Sequence, residues 1–333
     1  MSAWCRISIF ALALIAAGCS RESPPPAAAA APEPAPAAVP AEPAPAPLPA
    51  EITINTPGFL PEGVEYDTAN KRFMVGSLAQ GTVFVVGNDG TLTPFVKDPD
   101  LKSSVGIEVD EARNRLLVCN SDSAVFQGKS AGQAKLGIYN LTTGERIAMI
   151  DLAAVGPKNA KAHFANDVAV GSDGSAYVTD TMARVVYKVD PTNTATVFLP
   201  NTFEKAQQHM LNGIVASPAG YLLVAESAAG DLYKVPLDKP ESFSKVKLAE
   251  AVGGADGMVL RANGNLLIVR NDKSTSLVEL TSADDWATAT VASKGTYEVQ
   301  ATTTAVADDG VYVVHPYFGD AKASPFIERV ELH

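Results

Sequence analysis

The chain has 333 residues, of which 47% are hydrophobic and 19% are charged, and its formal net charge is −11. An acidic chain without clusters of Lys and Arg lacks the basic surface that phosphate binding needs, which argues against nucleic acid as a partner. A net negative charge is compatible with local binding of cations.

The first 18 residues have the pattern of a bacterial lipoprotein signal peptide. An apolar run from Ile7 to Ala17 ends in small residues before Cys19, and it is shorter than the roughly 20 residues that a membrane-spanning helix needs. An ordinary secretory signal or a short anchor is the alternative. Cleavage would leave Cys19 as the lipidated first residue. Because Ser20 follows, and not the Asp that usually signals inner-membrane retention, we expect attachment to the outer membrane, facing the periplasm.

Residues 19–50 comprise this cysteine and a linker of mostly Ala and Pro. The linker lacks the β-branched and aromatic residues of a core, so we expect an extended spacer. With Cys5 removed and Cys19 lipidated, Cys119 is the one cysteine left, which excludes a disulfide within the folded domain. Cys119 lies in an apolar run and should be a buried, unreactive thiol.

Residues 51–333 contain six copies of a short β-prone phrase, recurring roughly every 43 to 60 residues, which is the spacing of propeller blades. The copies are Pro61–Tyr66, Val105–Val109, Asn166–Val170, Asn212–Ala216, Asp256–Leu260 and a weaker Thr303–Ala307. A turn, a second strand and a third strand follow each copy, and no segment has a helical period. We therefore predict an all-β fold, a six-bladed β-propeller.

Two departures from the repeat pattern carry predictions. The last repeat stops after its third strand, so we expect Ile52–Ile54, ahead of the first repeat, to complete the last blade and close the ring. The second repeat carries the longest insertion, Ser123 to Ala134, which we interpret as a surface loop or lid.

Equivalent positions of the repeats should lie at equivalent places around the central channel. The residues that open the six phrases are Glu62, Val105, Asn166, Asn212, Asp256 and Thr303. Two carboxylates and two amides from four blades form a ligand set that a hard cation such as Ca²⁺ accepts. The alternative is that Asn, Asp and Glu open strands because they suit turns. That alternative explains any one of them more easily than four at a single repeat position.

A second ring of polar side chains is expected at the ends of the second strands, comprising Ser77, Asn120, Asp180, Glu226, Asn271 and His315. Asp180 and Glu226 are the best candidates for supporting the metal ligands, with solvated strand ends as the alternative. His163 and His209 each lie three residues before a predicted ligand. They are candidates for proton transfer or metal binding, against the alternative of ordinary loop histidines.

The phrase openings around Glu62, Asn166, Asn212 and Asp256 resemble the metal-binding motifs of the gluconolactonase and regucalcin (senescence marker protein) family. The resemblance implies a divalent metal held by Glu62, Asn212 and Asp256, with Asn166 as a further ligand or a substrate contact. In that family the metal polarises a lactone carbonyl, and the residue matching Asp256 is a candidate general base. We expect Ca²⁺, with Zn²⁺ and Mn²⁺ as alternatives.

The sequence departs from its relatives at two positions. Several gluconolactonase-like proteins have an arginine two residues before the asparagine that matches Asn166, where this chain has Phe164. Paraoxonases, which resemble the chain more distantly, have a catalytic histidine where it has Val105. The scaffold and metal motifs therefore carry over better than a preference for a polar sugar lactone.

Three functions are compatible with these patterns. The first, which the ligand set favours, is a metal-dependent hydrolase of a small-molecule lactone or related ester. The second is a non-enzymatic propeller that binds or assembles partner proteins and holds a structural metal. The third is a relative with different chemistry, such as one resembling strictosidine synthase.

Overall fold

The computed structural model describes residues 47–200, 210–272, 274–308 and 310–333. The predicted signal peptide, Cys19, most of the linker and His209 lie outside these ranges. Within them the chain is built of β-strands and four short 3-10 helices, with no α-helix. No helix in this part of the chain is long and apolar enough to span a membrane. Residues from Pro47 to His333 form one compact unit.

Each repeat folds into an antiparallel sheet, which confirms the six-bladed propeller. The strands of each blade are given in the order inner, second, third and outer. Blade 1 contains Pro61–Asp67, Arg72–Ser77, Val83–Val86 and Leu92–Pro94; blade 2 contains Ser103–Asp110, Arg115–Ser121, Lys135–Asn140 and Arg146–Asp151. Blade 3 contains His163–Val170, Ala176–Asp180, Val185–Val189 and Ala195–Leu199; blade 4 contains Leu211–Ser217, Tyr221–Glu226, Asp231–Pro236 and Ser244–Lys245. Blade 5 contains Ala255–Leu260, Leu266–Arg270, Ser276–Thr281 and Thr288–Thr296; blade 6 contains Thr304–Ala307, Gly310–His315, Phe326–Val330 and Glu51–Thr53.

Short elements lie between and beside the blades. Two two-residue strands, Gly132–Gln133 and Lys247–Leu248, run parallel to the inner strand of blade 3 and the outer strand of blade 5 respectively. The 3-10 helices are Glu111–Arg113, Ser123–Gln127, Ala153–Val155 and Pro240–Ser242.

The hydrophobic core lies between adjacent blades. Because neighbouring blades cover both faces of a sheet, the second strands are buried along almost their whole length and read as continuous apolar runs such as Leu266–Val269. Between blades 2 and 3, Leu117, Cys119 and Tyr187 pack together without solvent exposure. The prediction of a buried Cys119 is therefore confirmed.

The ring is closed by the segment that precedes the first blade. Glu51–Thr53 pairs antiparallel with Phe326–Val330, with Ile52 opposite Ile327. The Ile54 N–H then donates to the carbonyl of Pro325 at 2.7 Å. Ile52 and Ile54 are fully buried. This confirms the prediction that the N-terminal segment completes the last blade.

The inner strand contains a β-bulge near its start in five of the six blades. Pro61 pairs with Ser77 but Val64 pairs with Val75, so residues 62 and 63 face a single partner residue. The same shift occurs at residues 105–106, 166–167, 212–213 and 256–257. A bulge changes the direction of a side chain and is common beside binding sites. Every predicted metal ligand therefore lies in a bulge.

Glycine is the second residue of four of these bulges, because the next inner strand lies directly against it. A Cβ atom on Gly213 would lie 2.2 Å from the carbonyl oxygen of Asp256, and one on Gly63 would lie 2.5 Å from that of Val105. In blade 3 the position is Asp167, whose carboxylate accepts the N–H of Ile214 in blade 4 at 3.0 Å. The dipeptides Glu-Gly, Asn-Gly and Asp-Gly thus mark where the inner strands converge.

Removal of the closing strand should destabilise the whole ring. We expect a chain that starts at Asn55 to lose about 3 kcal/mol or more relative to one that starts at Ala50, because two buried isoleucines are lost and each contributes about 1.5–3 kcal/mol. Thermal and denaturant unfolding of the two proteins would measure this. Equal unfolding midpoints would show that the ring does not depend on this strand.

Candidate metal centre

The four predicted metal ligands lie at one end of the central channel, where the inner strands begin. We call this end the mouth. Glu62 and Asn166 are each 8% exposed, Asp256 is 5% exposed, and Asn212 is half-buried. The structure therefore brings four oxygen-bearing side chains to equivalent bulges of blades 1, 3, 4 and 5. The corresponding positions of blades 2 and 6 are occupied by Val105 and Thr303. Valine has no polar side-chain atom, and threonine offers only a hydroxyl group.

Glu62 is a buried carboxylate that accepts no hydrogen bond from any residue in the described ranges. Burial raises the pKa of Glu62 well above its ordinary value, and the negative charges of Asp256 and Asp167 raise it further. An ionised carboxylate without partners is costly inside a protein. A proton or a cation is needed to offset that cost.

Asp256 is surrounded by amide donors. Burial raises its pKa to about 7, while hydrogen bonds from the side chains of Asn271 and Asn212 limit the rise. The Asn271 Nδ2 atom lies 2.5 Å from Asp256 Oδ2, and Gln300 Nε2 donates in turn to Asn271 Oδ1. Sequence reasoning placed Asn271 in the second ring without singling it out, and it missed Gln300 because that residue occupies no repeat position.

Asn166 is oriented by its neighbour on the second strand. Its Nδ2 atom donates to the hydroxyl of Thr181 at 2.9 Å, and that hydroxyl donates to the carbonyl of Leu211 at 2.7 Å. Because an amide has one donor nitrogen and one acceptor oxygen, the Oδ1 atom of Asn166 remains available to a ligand.

The donor set fits a hard divalent cation. Two carboxylates and two amide oxygens, with water completing the shell, are the chemistry that Ca²⁺ accepts. In the described ranges there is no group of three or more His, Cys, Asp or Glu side chains placed to hold a metal.

Most side chains of the second ring form hydrogen bonds with backbone groups at the start of the inner strand of their own blade or just before it. Asp180 accepts the N–H of Phe164 at 2.9 Å, and Glu226 accepts that of Met210 at 2.8 Å. The corresponding bonds elsewhere are Ser77 to the Phe59 carbonyl, Lys102 N–H to Asn120, and His315 to the Val299 carbonyl. Asp180 and Glu226 thus position backbone at the mouth. In blade 5 the corresponding residue is Arg270, which pairs with Ala255 and whose Nε donates to the Gly253 carbonyl at 3.3 Å. The prediction that Asn271 belongs to the second ring is therefore wrong by one residue, and its side chain instead meets the carboxylate of a predicted ligand.

His163 forms a dyad with Asp180. The Nδ1 atom lies 2.8 Å from Asp180 Oδ2, and this hydrogen bond raises the pKa of His163 above its ordinary value. Asp180 is itself fully buried and also accepts the N–H groups of Met182 and Ala183. In the neutral imidazole, Nδ1–H donates to Asp180 and Nε2 carries the free lone pair. His163 therefore has the arrangement of an oriented base.

Phe164 packs between blades 2 and 3. It is 3% exposed, so it presents almost no surface of its own at the mouth. The ring of Phe126, from the insertion of blade 2, meets it edge to face with centroids 4.7 Å apart and is 53% exposed. The insertion is fastened here by Gly132–Gln133, which pairs with His163 and Phe164. The exposed aromatic surface beside the mouth thus comes from Phe126.

Three further carboxylates line the channel below the predicted ligands, in a cavity of about 230 Å³ formed by all six inner strands. They are Glu65, Glu108 and Asp167. Burial raises the pKa of Glu108 to about 8 and that of Asp167 to about 7, and the charge of Asp167 adds to the rise at Glu108. These residues were not identified from the sequence. They come after the first residue of each phrase, in a stretch whose side chains point alternately to the core and to the channel.

Glu108 should make stability depend on pH. The folded protein holds the Glu108 proton more tightly than the unfolded chain does. The contribution of Glu108 to the free energy of unfolding is therefore complete below about pH 4.5 and is lost as the pH rises through about 8. We expect Glu108→Gln to raise the melting temperature at pH 8, with a gain that shrinks towards pH 5. Melting curves at several pH values would measure this. Glu241→Gln, at an exposed site, is the control, and a gain for Glu108→Gln that is equal at all pH values would contradict the prediction.

Comparison with solved structures shows the same fold at low sequence identity. An allergen of Malassezia sympodialis, Mala s 1, superposes with a TM-score of 0.72 at 18% identity, covering 86% of this chain and 97% of that one. A calcium-binding regucalcin from Agrobacterium tumefaciens gives 0.60 at 16%, covering 86% and 95%. A gluconolactonase from Xanthomonas campestris gives 0.58 at 14%, covering 84% and 89%. A search of curated protein sequences finds no significant match.

The family comparison covers most of the propeller. Residues 60–293 match the family described as the SMP-30/Gluconolactonase/LRE-like region. The match begins just before Glu62 and includes Asn166, Asn212 and Asp256. The family that the phrase openings resemble is thus the one that residues 60–293 match. This chain belongs to the SMP-30/gluconolactonase/LRE-like family of six-bladed β-propellers.

Proposed function

We propose that the protein is a metal-dependent hydrolase of a small lactone or related ester, with Glu62, Asn166, Asn212 and Asp256 holding a divalent cation, Ca²⁺ in the first place. The observation that carries the proposal is the pair of buried acids at the mouth. The carboxylate of Glu62 accepts no hydrogen bond from the described residues, and the charge of Asp256 adds to the rise in its pKa that burial causes. A bound divalent cation would neutralise this pair and supply Lewis-acid polarisation of a carbonyl oxygen.

His163 is the better supported of the two proton acceptors considered in the described structure. Its Nδ1 is held by Asp180, which leaves Nε2 for a water proton. Asp256 is already hydrogen-bonded by two amides and serves in this proposal as a ligand. Nε2 accepts a proton as the water oxygen bonds to the ester carbonyl carbon, and returns it to the alkoxide when the C–O bond breaks. His209 remains a second candidate, outside the described residues.

The substrate proposed is a relatively apolar lactone. Phe126 offers an exposed aromatic ring against the strand that carries His163 and Asn166, and Phe164 replaces the arginine of several relatives. Aromatic surface favours an apolar substituent over a polyhydroxylated one. Two further elements of the proposal are lipidation at Cys19 and attachment to the outer membrane, facing the periplasm.

Asp256→Ala should abolish tight metal binding, because it removes one of two negative charges among the proposed ligands. Calorimetric titration of chelator-treated protein with Ca²⁺, Mn²⁺ and Zn²⁺ would measure the loss. Asp238→Ala, at an exposed position, should bind as the parent does. Unchanged affinity in the Asp256 variant would exclude the proposed site.

The protein should hydrolyse a small alkyl-substituted lactone faster than gluconolactone and lose that activity on chelation. His163→Gln should lower kcat by about 10²–10⁴-fold, the usual contribution of a general base, without releasing the metal. Initial rates on a panel of lactones and aryl esters, with metal content measured in parallel, would test both statements. Folded, metal-loaded protein without turnover on the whole panel would reject the hydrolase and favour a binding scaffold with a structural metal. Full activity of the His163 variant would move the role of base to Asp256 or His209.

A further inference from the structure

Asn271 lies just beyond the second strand of blade 5, and its side chain reaches the proposed metal ligand of the same blade. Arg270 pairs with Ala255 and is the counterpart of Asp180, which pairs with Ala165 in blade 3. The Asn271 N–H donates to the Gly254 carbonyl at 2.8 Å, as the Thr181 N–H donates to the Phe164 carbonyl at 2.9 Å. The Asn271 side chain contacts the carboxylate of Asp256 from the position at which Thr181 contacts Asn166 in blade 3.

The orientation of the Asn271 amide is set by Gln300. The amide has one acceptor and one donor end, and hydrogen-bond partners decide which way it points. Gln300 Nε2 donates to Asn271 Oδ1, so Asn271 Nδ2 is the end that faces Asp256 Oδ2. The opposite orientation would set an amide oxygen against a carboxylate oxygen.

We propose that Asn271 and Gln300 are positioning residues for the metal ligand Asp256, with Gln300 fixing the amide of Asn271 so that it holds the carboxylate by a hydrogen bond. The inference rests on the metal site of the proposed function. One donor on Oδ2 fixes the rotation of the carboxylate and leaves its other lone pairs to a cation. Partners of this kind raise metal affinity because they orient the ligand before the metal arrives.

Exchanges at Gln300 separate orientation from charge. Gln300 is exposed, so its replacement should not disturb the core. In Gln300→Glu the new carboxylate accepts and does not donate, which turns the Asn271 amide round and presents its oxygen to Asp256. In Gln300→Lys the ammonium still donates to Asn271 Oδ1 and keeps the orientation. The added charge alone would change the affinity for Ca²⁺ in the opposite direction. The negative charge of Gln300→Glu would attract the cation, and the positive charge of Gln300→Lys would repel it.

The test is calorimetric titration of the full-length protein and its variants with Ca²⁺ at physiological ionic strength. We expect Gln300→Glu to bind about 10-fold more weakly than the parent or worse, the usual effect of losing a ligand's hydrogen-bond partner. We expect Gln300→Lys to stay within about threefold, since exposed charges are screened by salt. Gln80→Glu, an amide-to-carboxylate exchange on an exposed mouth-side turn of blade 1, is the matched control and should also stay within that range.

The rise in melting temperature on addition of Ca²⁺ gives a second readout that needs no turnover. It should be smaller in Gln300→Glu than in the parent, while the melting temperatures in chelator agree. Binding by Gln300→Glu as tight as that of the parent, or tighter, would overturn the inference and leave the metal site intact. A parent protein that binds none of Ca²⁺, Mn²⁺ and Zn²⁺ would overturn both, whereas binding without hydrolysis would overturn the enzyme proposal alone.

Discussion

The free edges of the inner strands are the constraint on which the rest of the structure depends. Each inner strand pairs with the second strand of its blade on one side. Among the described residues, the other edge has a strand partner only at the start of the inner strand of blade 3, where Gly132–Gln133 pairs with it. Backbone groups on such an edge need partners when they are buried. The neighbouring blade supplies them: Ser121 Oγ donates to the Ala165 carbonyl, Thr179 Oγ1 to that of Asn212, and Thr302 Oγ1 to that of Glu62.

These hydrogen bonds hold adjacent blades close together at the mouth, and the close packing determines which residue types occur there. Close approach of the inner strands requires glycine after the bulged residue, and the bulge redirects the preceding side chain. Glu62, Asn212 and Asp256 therefore occupy positions that exist because the backbone must be satisfied and tightly packed. Five equivalent bulged positions result, in which residue type can vary from blade to blade without a change of fold.

The same packing concentrates negative charge along the channel. Glu62 and Asp256 lie at the mouth, and Asp167 lies where it raises the pKa of both Glu62 and the deeper Glu108. The carboxylate of Asp167 is partly compensated by the N–H groups of Val168 and Ile214. Glu62 has no comparable donor in the described structure. Burial and mutual repulsion thus favour positive charge at the mouth.

The sequence by itself determined the number of blades, their order, the closing strand and the position in each repeat that faces the mouth. It could do so because propeller blades repeat, and a repeated phrase imposes equivalent geometry on Glu62, Asn166, Asn212 and Asp256. The roles of single side chains depend on partners distant in the chain, and the tertiary structure alone decided them. Asp180 forms hydrogen bonds with His163 and with backbone N–H groups. The ring of Phe126 covers Phe164. Gln300 orients the side chain of Asn271 towards Asp256. The side-chain contacts made by Phe126 and Gln300 have no sequence period, because these two residues lie in segments that differ between blades.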